Sequence, residues 1–99
     1  MSSTITKRDL VEHLAQRLSR DPAMVREVVQ LLMDTISEHL VSGNRIELRN
    51  FGVFSVRRRK PRLGRNPHKP DQTVRIPATP VPVFKAGKIL KQRVKNQAL

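Results

Sequence analysis

Arg45-Ile46-Glu47-Leu48-Arg49-Asn50-Phe51-Gly52-Val53-Phe54-Ser55-Val56-Arg57-Arg58-Arg59-Lys60 decides how this chain folds. Its first five residues alternate polar and apolar with the period-two repeat of a strand, and Asn50-Phe51-Gly52 supplies turn residues. From Val53 to Lys60 the alternation resumes, so the stretch reads as a β-hairpin with one apolar face. Successive side chains on a strand point to opposite faces. Phe54, Val56, Arg58 and Lys60 therefore share one face, and Val53, Ser55, Arg57 and Arg59 the other. With Phe54 and Val56 turned to a core, Arg57 and Arg59 face outward together.

On the N-terminal side of the hairpin the period changes from two to 3.6. Thr6-Lys7-Arg8-Asp9 places a hydroxyl three residues ahead of an acid, the arrangement that satisfies the first free N–H groups of a helix. Leu10, Val11, Leu14, Ala15 and Leu18 follow at spacings of three and four, giving a helix that ends near Ser19. Asp21-Pro22 starts a second helix, because aspartate accepts from orphan N–H groups and proline at the first helical position gives up a bond that would not form. Val25, Val28, Val29, Leu32, Ile36 and Leu40 form its stripe, widened by Met24, Leu31, Met33 and Val41. Gly43-Asn44 is a left-handed stop. This stripe is wider than the short first helix can cover. At about 25 cal/mol per Å² of apolar surface removed from water, the surplus points to a partner chain.

On the C-terminal side, Arg57-Arg58-Arg59-Lys60-Pro61-Arg62-Leu63-Gly64-Arg65-Asn66-Pro67 packs six cations into eleven residues. Alternation returns at Val74-Arg75-Ile76, and the strand-like flanks around residues 64–71 read as a two-stranded arm reaching roughly 26 Å from the body at ~3.3 Å per residue. Pro77, Pro80 and Pro82 restrict residues 78–84 to an edge or irregular strand, since proline donates nothing to a ladder. Residues 85–94 read as a short basic helix with Ile89, Leu90 and Val94 against the body and Lys88, Lys91 and Lys95 outward.

The chain of 99 residues has 20 Lys and Arg against 8 Asp and Glu, a formal net charge of +12. The asymmetry is sharper than the total. Residues 1–44 carry five cations against six acids, net −1, and residues 45–99 carry fifteen against two, net +13. Such a field favours nucleic acid as partner, ahead of an anionic membrane surface. No stretch approaches the roughly 20 apolar residues of a membrane span, and no apolar signal segment follows the first basic residues. The absence of cysteine excludes disulfides and thiolate metal sites, so a cytoplasmic location is expected.

Catalytic readings find little support. His13, His39 and His68 lack metal-ligand spacing, and no metal or other cofactor is expected. Asp34 and Glu38 share a helix face but read as a solvated acidic surface, not an acid/base pair. The four glycines are scattered, with no phosphate-binding loop. Phe51, Phe54 and Phe84, without tyrosine or tryptophan, read as core and not as stacking platforms for bases. The chain is not expected to be an enzyme.

Arg49-Asn50-Phe51-Gly52-Val53-Phe54, Gly64-Arg65-Asn66-Pro67, Ile76-Pro77-Ala78 and Phe84-Lys85-Ala86-Gly87-Lys88 together resemble the bacterial HU and integration host factor family of histone-like DNA-binding proteins, from Thr6 to Val94. The resemblance implies an α+β fold in one domain, residues 1–99. Its parts are a dimerising helical base of two N-terminal helices (1–44), a β-hairpin or three-stranded sheet with a protruding arm (45–84, arm about 57–75) and a C-terminal helix and tail (85–99). It implies an intertwined homodimer or heterodimer whose arms lie in the minor groove of double-stranded DNA, with preference for bent, nicked or flexible duplex. Pro67 matches the tip proline that wedges between base pairs, and Arg65 and Asn66 its minor-groove neighbours. Arg57, Arg59, Arg62 and Lys69 match cationic positions of the arm, and Lys7, Lys85 and Lys88 phosphate contacts of the body.

Two positions depart from the family pattern. Asn50 stands where glycine is usual, a substitution that a left-handed backbone tolerates in asparagine. His68-Lys69-Pro70-Asp71 replaces the usual Thr-Gly turn after the tip. The function implied is HU-like nucleoid packaging by DNA bending with little sequence specificity. Site-specific bending of the integration host factor type is the alternative, and an RNA-binding basic protein the alternative of another class.

Overall fold

The computed structural model describes residues 3–58, 60, 62–66, 68–76 and 78–97. Three helices and five strands follow in the order α1 (Lys7–Leu18), α2 (Pro22–Val41), β1 (Ile46–Leu48), β2 (Gly52–Arg58), β3 (Arg62–Asn66), β4 (Lys69–Ile76), β5 (Pro80–Ala86) and α3 (Lys88–Lys95). The α+β class expected from the sequence is the one observed. The chain divides into two compact units, residues 1–38 and 39–99.

In the first unit the helix ends form as their sequences dictate. Asp9 N–H donates to Thr6 Oγ1 at 3.2 Å, and Thr6 N–H returns a bond to Asp9 Oδ2 at 3.0 Å, a complete capping box. These bonds hold the Asp9 carboxyl below its ordinary value, the backbone bond from Thr6 being the largest cause. Ser19, at φ 52, closes α1 in the left-handed region. Asp21 Oδ1 then accepts from Ala23 N–H at 3.0 Å, at the start of α2. The core of this unit is small. Val11, Ala15 and Val25 are buried, with Val29 packed against them. Leu10, Leu14 and Leu18 stay exposed, as do Val28, Leu31, Leu32 and Met33, so most of the apolar stripe read from the sequence is open in one chain.

In the second unit Gly43, at φ 82, ends α2 as expected. Strands β1, β2 and β5 make an antiparallel sheet in the order β1-β2-β5. The turn between β1 and β2 is closed by Phe51 N–H donating to Leu48 O at 2.9 Å. Asn50 has φ 66, the left-handed conformation that glycine and asparagine take at least cost. Gly52 has no such freedom to explain it. A Cβ there would lie 2.5 Å from the Phe84 ring and 2.6 Å from Lys85 O, so the position is closed to any side chain. Phe84 in turn contacts Phe54, with ring centroids 4.8 Å apart, and Phe51 at 5.4 Å. The three phenylalanines thus pack on one another, as the core reading expects, though Phe51 and Phe84 keep almost half their surface open.

β5 is regular over seven residues and lies at the sheet edge. Pro80 and Pro82 have the same parity, so both missing N–H groups fall on one side of the strand, which an edge tolerates. β3 and β4 pair only with each other among the described residues. This second ladder is the arm.

Candidate nucleic-acid interface

The register of the three-stranded sheet sorts its side chains onto two faces. Phe54 is opposite Ile46 and Phe84, Val56 opposite Pro82, and Arg58 opposite Pro80. Val53 is opposite Lys85, Ser55 opposite Val83, and Arg57 opposite Val81. The first set is the aromatic face. The second carries both Arg57, a predicted cation of the arm, and Lys85, a predicted phosphate contact of the body, flanking a patch of half-buried valines. Arg58, one residue on, lines a cavity of about 360 Å³ with Leu40, Val41, Val56, Pro80 and Pro82. Parity therefore separates two adjacent arginines by environment, as the alternation of the strand requires.

The arm carries the next group. β3 holds Arg62, Arg65 and Asn66, and β4 opens at Lys69. The ladder pairs Arg62 with Ile76, Leu63 with Arg75, Gly64 with Val74 and Arg65 with Thr73, then jumps to Asn66 with Lys69. One step on β3 thus faces four on β4, leaving Pro70, Asp71 and Gln72 outside the register. Proline has no N–H to lose in such a bulge. The sequence departure after the tip is therefore absorbed by an irregular return strand. Arg59 and Pro67, the predicted outward cation and wedge, lie outside the described residues.

Lys7 belongs to the first unit, where its ammonium donates to Gln30 Oε1 while Gln30 Nε2 donates to Asp34 Oδ1 at 2.8 Å. Lys85 and Lys88 belong to the second unit and line one cavity of about 450 Å³ with Ala86, Lys91, Gln92 and Lys95. Lys91 and Lys95 were visible in the sequence as outward cations, but their grouping with Lys85 depends on how α3 leaves β5. Gly87 makes that junction: its N–H donates to Phe51 O at 2.8 Å, and a Cβ on it would lie 3.3 Å from the same carbonyl. Ile89 and Val94, expected against the body, are about half exposed in the single chain. Among the described residues no group of three His, Asp or Glu side chains is placed to hold a metal ion. None of the described helices is long and apolar enough to cross a membrane.

Comparison with known proteins agrees with this geometry. Integration host factor subunit beta of Dechloromonas aromatica is 46% identical over 96 residues, covering 96% of this chain and all of that protein. DNA-binding protein HU of Thermus thermophilus is 41% identical over 93 residues, covering 94% of this chain and 95% of that one. A chain of the Anabaena HU–DNA cocrystal structure superposes with a TM-score of 0.87 at 36% identity, covering 94% of this chain and 100% of its own. The family described as bacterial DNA-binding protein matches residues 5–95. With an arm, a two-faced sheet and this likeness over almost its whole length, the chain belongs to the bacterial DNA-binding protein family that includes HU and integration host factor.

Proposed function

We propose that this chain is an architectural protein that binds and bends double-stranded DNA as a dimer. The observation that carries the reading is the paired arm, with Arg62, Arg65, Asn66 and Lys69 on its two strands and Arg57 on the strand that leads into it. The open apolar surface of α1 and α2 supports a second subunit, because leaving Leu31 or Leu32 in water forgoes roughly 1.5–3 kcal/mol each.

DNA arrives through charge. Each phosphate neutralised releases condensed counterion, so affinity falls with salt at a log–log slope of about −0.9 per contact, and a dimer with roughly eight to ten contacts is strongly salt-sensitive. Arg57, Arg59, Arg62, Arg65 and Lys69 of the arm, with Lys7, Lys85 and Lys88 of the body, are the cations from which these contacts are drawn, and Asn66 adds a neutral hydrogen-bonding group at the tip. Charge alone reads no sequence, and the minor groove distinguishes little beyond A·T from G·C. Site preference therefore follows from how easily DNA kinks. Pro67 is the wedge in this reading. Unstacking a base step costs a few kcal/mol, offset when the bent duplex reaches cations flanking the dimer. Packaging of the bacterial nucleoid, with little sequence specificity, is the role that these non-specific contacts serve.

The test is energy transfer across a duplex labelled at both ends. Wild type raises transfer, whereas Pro67→Ala lowers the bend and largely spares affinity for nicked DNA. An unchanged bend angle removes the wedge, and absence of salt-dependent duplex binding removes the function. The likeness to integration host factor subunit beta favours a second reading, site-specific bending, in which the partner is a different subunit. Competition by random duplex separates the two, since only a specific binder keeps a large affinity ratio.

A further inference from the structure

We propose that dimers of this chain associate with one another through α2, the row Arg26, Gln30 and Asp34 packing against its own copy in a second dimer. This association rests on the dimer of the reading above and adds a surface that needs no DNA. The three residues stand at i, i+4 and i+8, so they form one row along the helix. Gln30 lies about 140° round the helix from buried Val25, at ~100° per residue. The row is therefore turned away from the apolar stripe that calls for the second subunit. Lys7 Nζ donates to Gln30 Oε1, and Gln30 Nε2 donates to Asp34 Oδ1 at 2.8 Å, which fixes the amide between the two charged ends. Arg26 and Asp34 are exposed, and both line a hollow of about 430 Å³ together with Lys7, Glu27 and Gln30.

Charge selects a second copy as the occupant. The lining has two cations, Lys7 and Arg26, and two carboxylates, Glu27 and Asp34, so two copies meet here without net repulsion. Residues 45–99, with fifteen cations against two acids, repel their own kind. The order of charges along the row matters more than their sum. A two-fold axis through Gln30 brings Arg26 of one copy to Asp34 of the other, and by the same operation Asp34 to Arg26. Each pair lies four residues from the axis, about 6 Å along the helix at ~1.5 Å per residue. Rows of i±4 residues from two helices pack into one another at a crossing angle of about 50°, so the contact uses a common helix geometry. Exposed ion pairs are individually weak and screened by salt, so the association is salt-sensitive and builds up at high protein concentration.

Sedimentation velocity of the full-length protein without DNA tests this contact. Wild type is expected to pass from dimer to tetramer as concentration rises at about 50 mM salt, and to return to dimer at about 500 mM. Arg26→Asp and Asp34→Arg each set like charges against each other, and each alone should weaken tetramer formation at least about tenfold. The exchanged variant Arg26→Asp/Asp34→Arg restores it, and so does mixing the two single variants, because each then meets its complement across the axis. A folding defect predicts neither rescue. Positions 26 and 34 are also about 12 Å apart along one helix, so no pair within a chain explains it. Wild type that stays dimeric up to about 1 mM overturns the proposal, as do single variants that associate like wild type or the failure of both rescues. Wild type that stays monomeric overturns the dimer of the reading above, so the two failures are distinguishable.

Discussion

Residues 1–38 and residues 39–99 present opposite surfaces to solvent. The first unit has five cations against six acids and leaves leucines, valines and methionines open. The second has fifteen cations against two acids. What each lacks differs in kind: apolar surface is covered only by another apolar surface, while like charges are relieved by counter-charge. One unit calls for a second chain and the other for a polyanion, and a 99-residue protein keeps the two demands apart along its length.

Charge placed on the helical unit should break this comparison most severely. Leu32→Asp puts a carboxylate on the open face of α2. In the proposed dimer it costs at least about 3 kcal/mol over two copies, more than a hundredfold in dimer affinity. Sedimentation equilibrium is expected to show loss of dimer. Gly52→Ala tests the other unit without touching its charge. The added methyl meets the Phe84 ring and the Lys85 carbonyl, so an overpacking loss of about 1–3 kcal/mol is expected in thermal unfolding.

Adjacent arginines of β2 sharpen the comparison within one strand. Arg57→Ala should lower the salt slope of DNA binding by about 1.8 per dimer, and Arg58→Ala, which lines the apolar cavity, by much less. Equal losses in a titration would remove the assignment of faces. The smallest effect is expected at the α1 cap. Because Asp9 is held below its ordinary value, its contribution is fully present above the usual carboxylate range and is lost as pH falls through its own lowered value. Asp9→Asn should therefore reduce helicity slightly at pH 7, and the difference from wild type should shrink as pH falls below the usual carboxylate range when both are followed by circular dichroism.

Much of the helical unit was legible because its signals are local. Thr6 and Asp9 sit three residues apart and cap α1 as read, and Asp21-Pro22 and Gly43 bound α2 within a residue or two of expectation. In the strand unit the arm and the edge strand were also legible, from alternation and proline placement. The expected strand at residues 53–60 is shorter, β2 ending at Arg58. The irregular return of β4 was not legible, since an offset of three residues is settled by pairing between strands.

What the sequence by itself determined is every feature set by neighbours within one or two turns: helix caps, the left-handed Asn50 and Gly43, the parity that separates Arg57 from Arg58, and the division of charge. Tertiary structure decided which apolar residues one chain can bury, why position 52 excludes a side chain, and that Lys85 shares a groove with Lys91 and Lys95. Those depend on contacts between residues distant along the chain, such as Gly52 with Phe84 and Gly87 with Phe51, which no local pattern encodes.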